Sequence, residues 1–137
     1  MAVLIDTSVI INAERRGHPP SEAFALSAAE EPALSAVTAS ELLIGVHRAD
    51  SPGRRARREA FVEAILGGVP VIAFDLPIAR VYARLAAELA AAGQSIGAHD
   101  LMIAATALSE DAAVLTVNVR DFARVPGLSV RTPSPNQ

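Results

Sequence analysis

Apolar and polar positions alternate in blocks along this chain. Val3-Leu4-Ile5 is short, apolar and β-branched, which is how a strand buried on both faces of a parallel sheet reads. Residues 33–37 (ALSAV), 69–74 (VPVIAF) and 113–117 (AVLTV) repeat that character, and 128–130 is a possible edge strand. Between these runs the pattern changes to helical spacing. Helices are expected over 8–15, over the Ala- and Glu-rich 21–31, from Thr38 to about 49, over 54–66, over 77–92 with Asp75 as cap, and over 95–109. Residues 118–124 form a short helical turn. Gly17-His18-Pro19-Pro20, Gly67-Gly68 and Gly93 punctuate the elements. Strands alternate with helices throughout, and no Asn-Gly or Asp-Gly hairpin occurs. The expected fold class is α/β, with a parallel sheet of four to five strands and helices on both faces. One domain over 1–131 with a disordered tail over 132–137 accommodates all 137 residues.

Composition narrows the chemistry. Apolar residues make up 51% and charged residues 20%, a globular balance, and no apolar run reaches the roughly 18 residues of a membrane span. With no cysteine there is no disulfide, thiolate metal site or cysteine nucleophile, in keeping with a cytoplasmic protein. All 12 basic residues are arginine. The absence of lysine removes P-loop nucleotide binding, Schiff-base chemistry and phosphoaspartate hydrolysis. Arginine still binds phosphate through its planar fork. The net charge of −3 announces no nucleic-acid partner by itself.

Most of the 15 acids read as solvated helix faces. Four positions do not. Asp6 ends the first strand, at the carboxyl edge where open α/β sheets keep their ligands; its alternative is a helix cap. Glu41 follows the second strand. Thr38-x-x-Glu41 is also a capping box, so cap and ligand stand level on spacing. Asp100 opens a helix in which only Thr106 is polar between Leu101 and Leu108. A carboxylate there needs a partner, and a metal suits it. Asn118 or Asp121 could complete the set after the last core strand, against an Asx-turn or an ion pair with Arg120 or Arg124. Oxygen donors of this kind suit a hard cation, Mg²⁺ or Mn²⁺, which activates water and neutralises phosphate.

The ordered motifs LIDTS, TASELLIG, HDLMIAATAL and TVNVRDFARVPGL, spanning residue 3 to about 128, resemble the PIN-domain ribonucleases and specifically the VapC toxins of bacterial VapBC toxin–antitoxin pairs. The resemblance implies a PIN-like three-layer α/β/α sandwich. It implies a Mg²⁺- or Mn²⁺-dependent endoribonuclease, a homodimer, and inhibition by a VapB antitoxin covering the site. It maps metal and catalytic roles onto Asp6, Glu41 and Asp100, with Asp121 or Asn118 as fourth member. Ser8 and Thr116 match polar positions that shape the pocket. The implied products carry 5′-phosphate and 3′-hydroxyl ends. A PIN-fold nuclease of RNA processing and a non-catalytic binding module are the alternatives. Among the arginines, Arg15 and Arg16 are better placed to steer phosphate than Arg54, Arg55, Arg57 and Arg58, which can pair with Glu59 and Glu63.

Overall fold

A computed structural model describes residues 1–24 and 26–133. The elements follow in the order β1 (Ala2–Ile5), α1 (Thr7–Arg15), a 3-10 turn (Pro20–Glu22), β2 (Glu31–Ser35), α2 (Ala36–His47), α3 (Pro52–Gly68), β3 (Val71–Ile72), α4 (Leu76–Ala91), α5 (Ala98–Ser109), β4 (Ala113–Leu115), α6 (Val119–Phe122) and β5 (Val130–Arg131). The five strands are parallel and ordered β3-β2-β1-β4-β5.

Strand alternation divides the core in two. Val3, Ile5, Leu34 and Leu115 face α1, α2 and α3 through Ile10, Leu42, Val46, Val62 and Ile65. Leu4, Ala33 and Val114 face the other way, onto Ile78, Leu85 and Leu89 of α4, the apolar body of α5, and Phe122. This is the expected α/β/α sandwich.

Several boundaries move by two or three residues, β4 for example ending at Leu115 and α5 beginning at Ala98, and three differences have a local reason. The expected helix over 21–31 is reduced to the 3-10 turn. Residue 31 precedes Pro32, which disfavours helix there, and Glu31 instead pairs with Ala2. The second strand ends two residues early because Ser35 caps α2, its hydroxyl accepting the Thr38 N–H at 3.0 Å. The third strand shrinks to Val71–Ile72, since it is an edge that pairs only with Leu34 and Ser35. Of the expected tail, residues 134–137 lie outside the described residues.

The order of strands decides where a site can form. β1 lies between β2 and β4, and the chain leaves β1 toward the α1 face but leaves β4 toward the α6 face. The backbones part there, opening a crevice beyond the carboxyl ends of β1 and β4.

Candidate active site

Asp6 stands at the head of that crevice and is 4% exposed. It occupies the residue before α1 yet caps nothing with its side chain. Its Oδ2 instead accepts from the Ser8 hydroxyl at 2.6 Å and the Thr116 hydroxyl at 2.7 Å. The Asp6 N–H reaches Leu115 O at 2.9 Å, which locks the ends of β1 and β4 together. Thr116 Oγ1 also accepts the Asn118 N–H at 2.8 Å, and Ser8 Oγ accepts the Val117 N–H at 3.3 Å. The strand-end loops are thus tied to one carboxylate.

Glu41 is not in a capping box. The Thr38 N–H belongs to Ser35, and Glu41 Oε1 lies 2.9 Å from the Thr7 hydroxyl of α1. That hydroxyl also lies 3.1 Å from Thr38 Oγ1. The cap is thereby excluded in favour of an acid aimed across the sheet edge. The pairing of Thr7 with a residue 34 positions away leaves no local signal in the sequence. The Nδ1 of His99 lies 3.8 Å from Glu41 Oε2.

Asp100 sits in the first turn of α5, half-buried. The Nδ2 of Asn118 donates to Asp100 Oδ2 at 3.2 Å and to Asp121 Oδ2 at 3.1 Å. Both candidates for the fourth position therefore enter the cluster, the amide bridging two acids. Asp121 also meets Arg124, whose Nη1 lies 3.7 Å from Oδ1 and donates to Ser95 O at 2.7 Å. Arg124 so pins α6 against the entry to α5.

The carboxyl of Asp100 is pushed up from 3.8 to about 6. Burial is the main cause, followed by the negative charge of Asp6, then Asp121, then Glu41, while the Asn118 amide opposes them. The other three sequence-selected acids therefore all act electrostatically on Asp100. Among the described residues, no three His, Asp or Glu side chains are gathered tightly enough to hold a cation as they stand. The donor set nevertheless fits a hard divalent ion: it is all oxygen, it is mutually repulsive, and a neutral amide donor sits between two of its acids. Arg124 meets one of these acids, Asp121, and the four carboxylates still outnumber it.

The arginines divide differently from the sequence reading. Arg54 pairs with Asp50 at 2.9 Å, and Arg58 Nε with Glu14 at 3.3 Å; no ion pair with Glu59 or Glu63 forms among the described residues.

Residues 3–128 match the PIN domain family. The chain is 37% identical over 134 residues to ribonuclease VapC1 of Rickettsia felis, covering 98% of both chains. It is 34% identical over 97 residues to the tRNA(fMet)-specific endonuclease VapC of Salmonella typhimurium, covering 71% of both. Among solved structures, VapBC2 from Rickettsia felis bound to a promoter DNA fragment superimposes with a TM-score of 0.85 at 26% identity, covering 98% of this chain and 100% of that one. A crevice at the β1/β4 switch point, acids at the end of β1 and on α2, α5 and α6, and these likenesses converge: the chain belongs to the PIN-domain family, among its VapC ribonucleases.

Proposed function

We propose that this protein is the toxin of a type II toxin–antitoxin pair, an endoribonuclease that hydrolyses RNA phosphodiesters with Mg²⁺ or Mn²⁺. The observation that carries the reading is the convergence of Asp6, Glu41, Asp100 and Asp121 on one crevice, where burial, and after it the charges of the other three acids, raises the Asp100 carboxyl to about 6. A polyanionic substrate would be repelled by such a cluster unless a cation neutralised it. Asp6 and Asp100 would hold the ion, with Glu41 and Asp121 beside them. When bound, the ion supplies charge neutralisation at the phosphate and lowers the pKa of water.

The chain's own groups set the geometry. Ser8 and Thr116 direct hydrogen bonds at Asp6 Oδ2, leaving Oδ1 outside both bonds. Thr7 fixes Glu41, and the Asn118 amide holds Asp100 and Asp121 at a common edge. Glu41 and Asp121 would orient an attacking water and accept its proton. The partners read from the resemblance, a VapB-type antitoxin and a second copy of the chain, belong to the same proposal. The support for the antitoxin is that the similar structure from Rickettsia felis is a VapBC complex.

The test is direct. The purified chain should cleave single-stranded RNA with added Mn²⁺ or Mg²⁺, yielding 5′-phosphate ends by ligation-dependent sequencing, and Asp100→Asn should be silent while remaining folded. Equal cleavage by Asp100→Asn would overturn the assignment. Growth arrest on expression, relieved by co-expression of the upstream antitoxin, separates a toxin from an RNA-processing nuclease.

A further inference from the structure

A cavity of about 270 Å³ lies between α1, α2 and α3, beside the acids but outside their hydrogen-bond network. Its floor is apolar, made of Ile10, Leu42, Phe61 and Val62. Its volume is near the lower end for small-molecule sites, about 300 Å³. Glu41 forms part of its wall, so cavity and acid cluster share one residue. Two features keep it open. Gly45 presents no side chain from α2, and a Cβ there would meet only Arg58 Cδ, at 3.8 Å. Arg58 itself is a strut: Nη1 donates to Gly45 O at 3.0 Å and Nε meets Glu14 at 3.3 Å, joining α3 to α2 and α1.

Glu14 offsets the charge of Arg58. Arg15 and Arg48 also line the cavity, are exposed, and make no side-chain hydrogen bond or ion pair among the described residues. Two guanidiniums without an ion pair among the described residues thus stand over an apolar floor, against the one remaining lining carboxylate, Glu41, which the Thr7 hydroxyl holds. That pairing of chemistries suits a nucleotide: phosphate to the arginines, base to the floor, with the Phe61 ring as a flat face. The other aromatic pair near this sheet edge, Phe74 and Tyr82, is engaged edge-to-face at 6.0 Å.

We infer that this cavity holds one unpaired nucleotide flanking the scissile phosphate of the RNA substrate, with Arg15 and Arg48 on its phosphates and Phe61 against its base. The inference rests on the nuclease reading above and adds a substrate-binding subsite to it. The acids repel the polyanion they cleave, so the grip on RNA has to lie beside them; this cavity offers such a grip. Only an unpaired base can enter, which makes the subsite selective for single-stranded or looped RNA.

The experiment uses the full chain and a fluorescent single-stranded RNA containing one abasic nucleotide, walked position by position past the cut. One flanking position should lower kcat/KM about tenfold when its base is missing, the order expected for one base stack. In Phe61→Leu that sensitivity should largely vanish. Arg48→Ala and Gly45→Leu, the latter filling the cavity, should raise KM about fivefold with kcat nearly unchanged, and Arg48→Ala should reduce the salt dependence of binding by about one unit of slope. Thermal melts verify that each variant is folded. Cleavage by the parent chain with no sensitive position, or with KM unmoved by both variants, overturns the subsite and leaves the nuclease reading standing. Variants that cleave RNA normally but escape inhibition by the antitoxin would assign the cavity to a protein instead, and also overturn it. If the parent chain cleaves nothing, the nuclease reading fails, and RNA binding by Asp100→Asn with and without Arg48→Ala, read by fluorescence anisotropy, decides the cavity by itself.

Discussion

Asp100 and Glu30 are both carboxylates, and the fold treats them in opposite ways. Burial and three neighbouring acids push Asp100 up to about 6. Glu30 is pulled down to about 2, chiefly by its hydrogen bond to Arg131 and then by the Ser27 N–H. The Glu30–Arg131 pair ties the loop before β2 to β5, across β1 and β4. One region gains from its charges, and the other is held together despite them. Charges that fail to stabilise the fold are retained where they are needed for something else. The contrast supports the proposed reading of Asp100 as a functional carboxylate beside the structural carboxylate of Glu30.

The largest expected effect concerns activity. Asp6→Asn or Asp100→Asn should lower kcat for RNA cleavage by about 10³-fold, the order seen when a principal charge-stabilising group is lost. Glu30→Gln should leave kcat within about twofold on the same RNA, because that pair lies outside the crevice. A comparable loss in Glu30→Gln would dissolve the contrast.

Metal addition is the next test. Mn²⁺ at 100 times its dissociation constant should stabilise the chain by about 2.7 kcal/mol, measured as a rise in Tm. The rise should disappear in Asp100→Asn and persist in Glu30→Gln. Because protons compete for Asp100, the apparent metal affinity should fall as pH drops through about 6.

The pH dependence of the metal-free protein has a sign that differs between the two sites. Asp100 binds its proton more tightly folded than unfolded, so its contribution to stability falls as pH rises from about 4 to 6. After allowance for its half-exposure this amounts to about 1 kcal/mol, and Asp100→Asn should remove it from a urea titration across that range. Glu30 behaves conversely. Its stabilisation is present above its ordinary value of 4.5 and is lost as pH falls toward about 2. Glu30→Gln should lower stability by a constant amount between pH 5 and 7, leaving the slope there unchanged, and flatten the acid limb.

The smallest expected effect sharpens the role of the bridging amide. Asn118→Asp would replace a donor with a fifth negative charge beside Asp100 and Asp121. The metal-free Tm should fall by a few degrees at pH 7, as for a loss of about 1 kcal/mol, and recover on Mn²⁺ addition. A drop that metal does not reverse would make Asn118 a structural residue alone.

Much of this was legible in the chain. The apolar blocks marked β1, β2 and β4 as core strands and the sheet as parallel, because a strand covered on both faces has no polar alternation, while the block over 69–74 supplied only the edge strand β3. Asp6 and Asp100 stood out for a related reason: each is a carboxylate at the end of an apolar run, where solvation is poorest. Glu41 stayed level between cap and ligand, since the decision lay with Ser35, which took the Thr38 N–H, and with Thr7, a partner far away in sequence. The helix expected over 21–31 failed because pairing with β1 outweighed alanine propensity.

The sequence by itself determined which side chains end the strands and what charge they carry, since strand ends and residue types are local. Only the tertiary structure decided that β1 and β4 are neighbours, and with that the crevice, the Thr116–Asp6–Ser8 bonds, and the bridge from Asn118 to Asp100 and Asp121. Residues about a hundred positions apart meet there because strand order is set by how two apolar faces are covered, a property of the whole sheet and not of any segment in it.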